Sequence, residues 1–586
     1  MSTKLRNVWA GSKAVLTRLG LPLALALTLA ACSGGGGNSI GPSASVASVE
    51  IVQTGVLFTG AGQVSQLNAK ALDAAGNEIA STVTWDFSKP GVIAVDAAGI
   101  ATSLVANGST QVKARVGSVE SMPILAVATP IAPNVVLLKD SQIVAGPVVT
   151  SPGALPSFDN TYQVSLTGVS APSVGDIVLN TETKLVAGRV LAVEDRGRQI
   201  EVVLQMVAIN DVFPSLELDE SIDLTNAPIE VAEDVLVDYV VKRSGGTFEF
   251  TPRAEGNLLR KFVQRVFPKA QQSGTVSLFG KSCKGSIEPS PATSELPILF
   301  DAPPVFSISI PSRLSIRHWK ANRLERLVLI ADPNVKFEAT ARITAAFEGL
   351  IRCNKILFTI RVPLGPLSPI VSALVPIGVG FEVAGRFTAA TMSIGAKSET
   401  TSHAEIGIVC PPGGTCQFQS DLNQFKTKIA PVVDLPSIGD VRVEPSLKAS
   451  ATVTMSFGNP LFTALRFDAF GFEVGPKLGA SFAPYRTQIV DPTYASDYKL
   501  SVEAKANILP GLRDAARLLF YLHVVKTSII HGHAEMDLTT SGVFSIASNA
   551  IARSSSRASS ELKTLLWKHF SRNSSQICST GLSSGA

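Results

Sequence analysis

Beyond residue 300 the chain alternates. Val335, Phe337, Ala339, Ala341 and Ile343 are separated by Lys336, Glu338, Thr340 and Arg342. The run 441–457 repeats the scheme, with Val443, Leu447, Ala449, Ala451, Val453 and Met455 on one parity and mostly charged or hydroxyl residues on the other; "YKLSVEAKANI" does so again. Successive side chains of a strand face opposite sides, so each run has one dry and one wet face. At roughly 3.3 Å per residue these strands reach about 40–55 Å, far beyond the usual 5–6 residues. Long strands wet on one side are antiparallel and must cover their dry faces. Three covers come into question: a second sheet, a lipid held in a groove, or the bilayer around a barrel. The barrel fits worst, because aromatics make up only 6% of the chain and form no girdles. Gly-Phe-Glu-Val occurs at 380–383 and again at 471–474, a hint of duplicated halves.

Upstream the strands are shorter. Over 46–117 brief alternating runs are punctuated by turn signals such as Ala75-Gly76-Asn77 and Ala98-Gly99, which suits a β-sandwich. Between 135 and 245, "VGDIVLN" and "VAGRVLAVEDRGRQIEVVLQMVAINDVF" read as successive strands with a hairpin at Asp195-Arg196-Gly197. Gly188 inside that pattern marks a bulge or a close backbone approach. Residues 257–267 break the alternation: Leu258, Leu259, Phe262, Val263, Val266 and Phe267 recur at helical spacing, and Pro268 stops them. A second amphipathic helix, 561–570, lies in a serine-rich tail.

The N-terminus reads differently. Lys4, Arg6, Lys13 and Arg18 precede a short apolar run, 19–29, interrupted by Pro22, with no acidic residue before Glu50. A charged start, a short apolar stretch and small residues before a cut describe a secretory signal. Its end, Leu29-Ala30-Ala31-Cys32, resembles the lipobox of bacterial lipoproteins. The resemblance implies that the Cys32 thiol is alkylated with diacylglycerol and the chain cut before it; an ordinary cleaved signal with a chance cysteine is the other reading. One acyl chain holds marginally and two or more hold stably, at about 0.8 kcal/mol per buried methylene. Ser33 at the second mature position resembles lipoproteins sorted to the outer membrane, and the glycines after it form a flexible leash.

The 46–128 segment carries a second resemblance. Gln66-Leu67-Asn68-Ala69, the turn Asp73 to Gly76, Thr84-Trp85, Ile93-Ala94-Val95-Asp96 with Gly99, and the run Gly108 to Ala114 together resemble a group 2 bacterial Ig-like domain. The resemblance implies a spacer or binding module and no catalysis. It also places Trp85 at the centre of the core, with Leu67, Val83, Val95 and Val112 around it.

The expected organisation is therefore mainly β and multi-domain, with a few short helices. It runs as a signal peptide (1–31), a Gly-rich tether (32–45), an Ig-like β-sandwich (46–128), a small β domain (135–245), a helix-containing linker (246–299), a large antiparallel β domain (300–545) and a tail (546–586). At 586 residues the chain exceeds a single core. Removing the four basic residues of 1–31 from 51 leaves 47, equal to the 47 acidic ones. A neutral mature chain has no global field for nucleic acid.

Candidate chemistry is sparse. Cys410 and Cys416 bracket "CPPGGTC", and Cys283 with Cys353 form a second candidate disulfide, leaving Cys578 alone. In "IIHGHAEMD", His531, His533 and Glu535 share a strand face, as zinc ligands or as an ordinary wet face; no metal is assigned. Asp219-Glu220 with Asp223 reads as a solvated turn, lacking the spaced loop of a calcium site. Arg313, Arg317, Lys320, Arg323 and Arg326 around Trp319 form the densest basic patch, facing a polyanion or plain solvent. No phosphate loop or dinucleotide fingerprint appears, and no cofactor is expected. The sequence thus points to a non-enzymatic outer-membrane lipoprotein, facing the periplasm or the cell surface. It would act in adhesion or envelope structure, with polysaccharide, lipid or another envelope protein as partner. A lipid or glycolipid carrier and an exported hydrolase with its site in 300–545 are the alternatives.

Overall fold

The computed structural model describes residues 45–150, 161–253, 283–288, 298–300, 304–310, 312–319, 323–343, 347–387, 392–411, 417–434, 443–458, 466–486, 493–509 and 532–545. Cys32, Lys320, Cys416, His531, Cys578 and the segments 257–267 and 561–570 lie outside them. The chain is mainly β, in several sheets with few short helices. No helix among the described residues is long and apolar enough to cross a membrane.

The N-terminal module is built from short strands because turn residues cut them short. Asp73 accepts hydrogen bonds from the amides of Ala75 and Asn77, and Asp96 from those of Ala98 and Ile100. Gly76 and Gly99 take the left-handed conformation that each turn requires. Three small sheets enclose a core of Val56, Phe58, Leu67, Ile93, Ala101, Val112 and Ala126. Phe58 is fully buried; Trp85, expected at the centre, is half-buried, as are Val83 and Val95. The reason is position. Thr84–Phe87 pairs with Gly108–Val116 alone, so its side chains have neighbours on one side only and the indole packs on the rim.

A six-stranded sheet follows, in the spatial order Val135–Leu137, Ile177–Leu179, Ala187–Asp195, Ile200–Gln205, Thr161–Leu166, Ile143–Val149. The hairpin forms at Gly197, whose amide donates to the Asp195 carboxylate. Gly188 is a close approach: a Cβ there would sit 2.5 Å from Tyr162 Oη and 2.8 Å from Leu204 Cβ. Tyr162 is fully buried, donates its hydroxyl to the Ala187 carbonyl, and has its pKa pushed far up by burial.

The strands of 218–252 do not belong to this sheet, although the pattern along the chain groups those up to 245 with it and places 246–252 in the linker. Leu218–Asp223 pairs with Ser312–Trp319, Ile229–Val231 pairs with Phe347–Val362, and Thr247–Pro252 pairs with Val305–Ser309. Their partners lie between 56 and 131 residues downstream, beyond the reach of any local signal. The six-stranded sheet therefore draws on strands between 135 and 205.

Two large sheets complete the fold, one of ten strands and one of eight. Their longest members run 16 to 21 residues, among them Met392–Val409, Gln417–Asp434 and Arg466–Arg486. The expected alternation is present. Val335, Phe337, Ala339 and Ala341 are buried between exposed Lys336, Glu338 and Arg342, and Ala449, Ala451, Val453, Met455 and Phe457 are buried in the other sheet. Rings meet across the two sheets, Phe248 with Phe358 at 4.3 Å and Phe337 with Phe381 at 5.9 Å between centroids. Over these residues the cover of each dry face is the other sheet. Both Gly-Phe-Glu-Val copies lie in the eight-stranded sheet and play one role: Phe381 and Phe472 point into the core, while Glu382 and Glu473 each pair a cation, Arg352 and Lys448. A single apolar core runs from Ile143 and Tyr162 through Phe250 and Phe306 to Phe470, so the six-stranded sheet and the large sheets share one interior.

Candidate functional site

The strand Leu218–Asp223 alternates buried and exposed residues. Leu218 and Ile222 join the apolar core, and Glu220 shares their parity. Its carboxylate does not enter the core; it meets the N-terminal module. Oε1 accepts the Ser109 hydroxyl at 2.9 Å and faces Lys89 Nζ at 3.3 Å, while Oε2 accepts Gln111 Nε2 at 2.9 Å and the Ser88 hydroxyl at 3.3 Å. The Glu220 side chain is 1% exposed. A buried charge costs several kcal/mol unless it is paired and hydrogen-bonded, and here every partner comes from the other module.

Around Glu220 the two modules are joined by a side-chain ladder. Asn107, Ser109 and Gln111 project at every second position of one strand face. Asn107 donates to the Ser215 carbonyl and accepts the Glu217 amide, Ser109 accepts the Asp219 amide, and Gln111 donates to the Ser221 carbonyl. Lys89 closes the ladder by donating to the Asp219 carbonyl. These amides and hydroxyls occupy the backbone groups that a further strand would have paired. Beside the ladder lies a cleft of about 400 Å³, walled by Val92, Val105 and Leu218 and rimmed by Lys89, Arg317 and Glu325. Its lining is mainly apolar, with charged groups of both signs at hand, and it is the candidate binding site.

The acidic group at 219–223 is thus a strand and not a turn. Its exposed members face the basic patch: Asp219 stands opposite Arg317, in contact at 3.2 Å, and Asp223 opposite Arg313. Arg326 lies 3.6 Å from Glu405. Carboxylates therefore flank Arg313, Arg317 and Arg326, and Arg323 sits at the start of its strand opposite Trp319. His533 and Glu535 lie on Gly532–Ser545, opposite Lys505 and Glu503. Among the described residues no cluster of His, Cys, Asp and Glu has metal-holding geometry. Cys283 stands directly opposite Cys353 in an antiparallel pair. Glu220 was legible in one respect: in "LELDESIDL" it is the charged residue on the apolar parity.

No protein-family model matches the chain, and no curated protein matches it in sequence.

Proposed function

We propose that this chain is a lipid-anchored cell-envelope protein that acts by interaction or as a structural part of the envelope, held through acylated Cys32 on a glycine leash. The reading rests on the signal-like N-terminus and on one structural observation. From Val46 onward the chain is one compact unit, in which Glu220 and the 107–111 ladder fasten the N-terminal module to the large sandwich. The Ig-like resemblance then describes a docked base, not a swinging spacer, and partners would be met by the wet faces of the long sheets and by the cleft. Export suits disulfides at Cys283–Cys353 and Cys410–Cys416; in support, Cys353 and Cys410 are bonded sulfurs.

The anchor is tested by fractionation. The parent is expected in the membrane pellet and Cys32→Ser in the soluble envelope fraction. A mature Cys32→Ser chain that pellets like the parent would refute the lipid hook. Protease treatment of intact cells then separates the two orientations, since only an outward-facing body is shaved.

A further inference from the structure

Met392–Val409 is one of two 18-residue strands of the ten-stranded sheet, and a line of irregularity crosses it at residue 402. Along one edge it pairs with two strands in series, Arg323–Ala331 against 404–409 and Asn334–Ile343 against 392–401. Asp332 and Pro333 fill the gap between them, and the Ser402 amide donates to the Pro333 carbonyl at 3.1 Å. Along the other edge the register with Gln417–Asp434 shifts between Thr401 and His403, where Gln424 takes φ 56°. Proline cannot donate to the ladder, and a non-glycine residue at positive φ is a strained one. Three buried polar atoms on this line have no hydrogen-bond partner: Asn334 Oδ1, Ser402 Oγ and Asn423 Oδ1. Unpaired buried groups mark a place where opening costs least.

His403 sits on that line, 21% exposed. Its Nδ1 lies 2.6 Å from Asp332 Oδ1, and its Nε2 lies 3.6 Å from Glu405 Oε1. Glu405 is further held by Arg326 at 3.6 Å and by Gln419 Nε2 at 3.0 Å. From the Gln417–Asp434 side, Asn423 stands opposite His403 and Asp421 opposite Glu405, with Asn423 Nδ2 donating to Asp421. On its own strand Thr401 precedes it, opposite Lys426. A neutral imidazole has one N–H to donate, whereas imidazolium has two. Both ring nitrogens face carboxylates, so only the protonated ring satisfies both.

We propose that His403 is a proton-operated clamp on this transverse joint: the protonated ring, carried by Met392–Val409, holds Asp332 in the gap between the two neighbouring strands and Glu405 two residues along its own strand, and the neutral ring releases one of the two ties. The Asp332 hydrogen bond raises the His403 pKa above 6.5, against the opposing effect of burial. A group raised on folding contributes stability that is complete below its unfolded value and is lost as pH rises through the folded one. The joint is therefore tight in mildly acidic surroundings and looser in alkaline ones.

The test uses the full-length protein with ring-labelled histidine, the His403 signal being assigned by its loss in His403→Gln. The expected midpoint lies above 6.5, and Asp332→Asn or, should that variant not fold, Glu405→Gln moves it down. Amide exchange over 399–406, corrected for the intrinsic rate, is expected to quicken several-fold as pH rises through the midpoint in the parent and to show no such step in His403→Gln. A midpoint at or below 6.5, or the same step in both proteins, overturns the clamp.

Discussion

At the scale of single residues, the informative positions are charges held where the pattern calls for apolar side chains or bare solvent. Lys448 lies on the outer face of the eight-stranded sheet yet its side chain is 3% exposed, with Nζ 2.8 Å from Glu473 Oε1. Burial pushes the Glu473 carboxyl up; the Lys448 ammonium, the Ser450 hydroxyl and Arg352 together outweigh that and hold it below 4.5. A carboxylate lowered on folding stabilises above its unfolded value, and that stability is lost as pH falls through the folded value. Lys448→Ala leaves burial unopposed, so the Glu473 pKa rises and the pair's contribution at neutral pH becomes a penalty. The expected loss is about 3 kcal/mol, the lower end for a broken buried pair because Glu473 keeps part of its exposure. Denaturant titrations between about pH 4 and 7 read it out; a variant as stable as the parent, with the same pH slope, contradicts the assignment. None of this was legible from local sequence. Lys448 alternates like any wet-face lysine, and its burial depends on strands whose pairing the sequence does not spell out.

Elements were more legible than their partners. Period-two alternation announced the long strands and their dry faces, and turn chemistry at Asp73, Asp96 and Asp195 announced the hairpins, because both signals sit within a few residues of one another. Sheet membership did not follow, since Leu218–Asp223 finds Ser312–Trp319 across nearly a hundred residues. The same limit displaced Trp85: its residue type marks a core, but only the topology reveals that its strand is an edge. Gly188 shows what a single position inside an element can report. With Tyr162 Oη, Leu204 Cβ and the Gln205 carbonyl all within 2.9 Å of a built Cβ, Gly188→Ala forces the Ala187–Asp195 strand away from its neighbours. Overpacking of this kind costs about 1–3 kcal/mol. A chemical-denaturation midpoint unchanged from the parent would show that the tyrosine gives way freely.

The described residues form two interiors of very different size. One lies within the N-terminal module, and the other is shared by the six-stranded sheet, both large sheets and the module's own strand Ile124–Ala128, which contributes Leu125 and Val127 to it. Elements that share an interior unfold together, whereas modules with separate interiors stay coupled only through their interface. That interface has two parts, the apolar contact of Leu125 and Val127 with the body and the polar ladder centred on Glu220. In Glu220→Ala, Lys89, Ser109 and Gln111 lose their common acceptor; Lys89 is partly exposed and keeps Asp219, so the coupling lost is about 1.5–3 kcal/mol, that of hydrogen bonds to a charged group. Calorimetry of the parent should show the N-terminal module melting with the body; in Glu220→Ala its transition should separate and move to lower temperature. Coincident transitions in both proteins would mean that the junction is held elsewhere.

The rungs supplied by Asn107, Ser109 and Gln111 also decide how copies of this protein behave in a crowd. A bare sheet margin invites a neighbour's margin to zip onto it, and repetition of that step yields ribbons. Here the margin at Leu218–Asp223 is already spoken for by the chain's own amides and hydroxyls. However densely the molecules are gathered, that flank stays closed to recruitment.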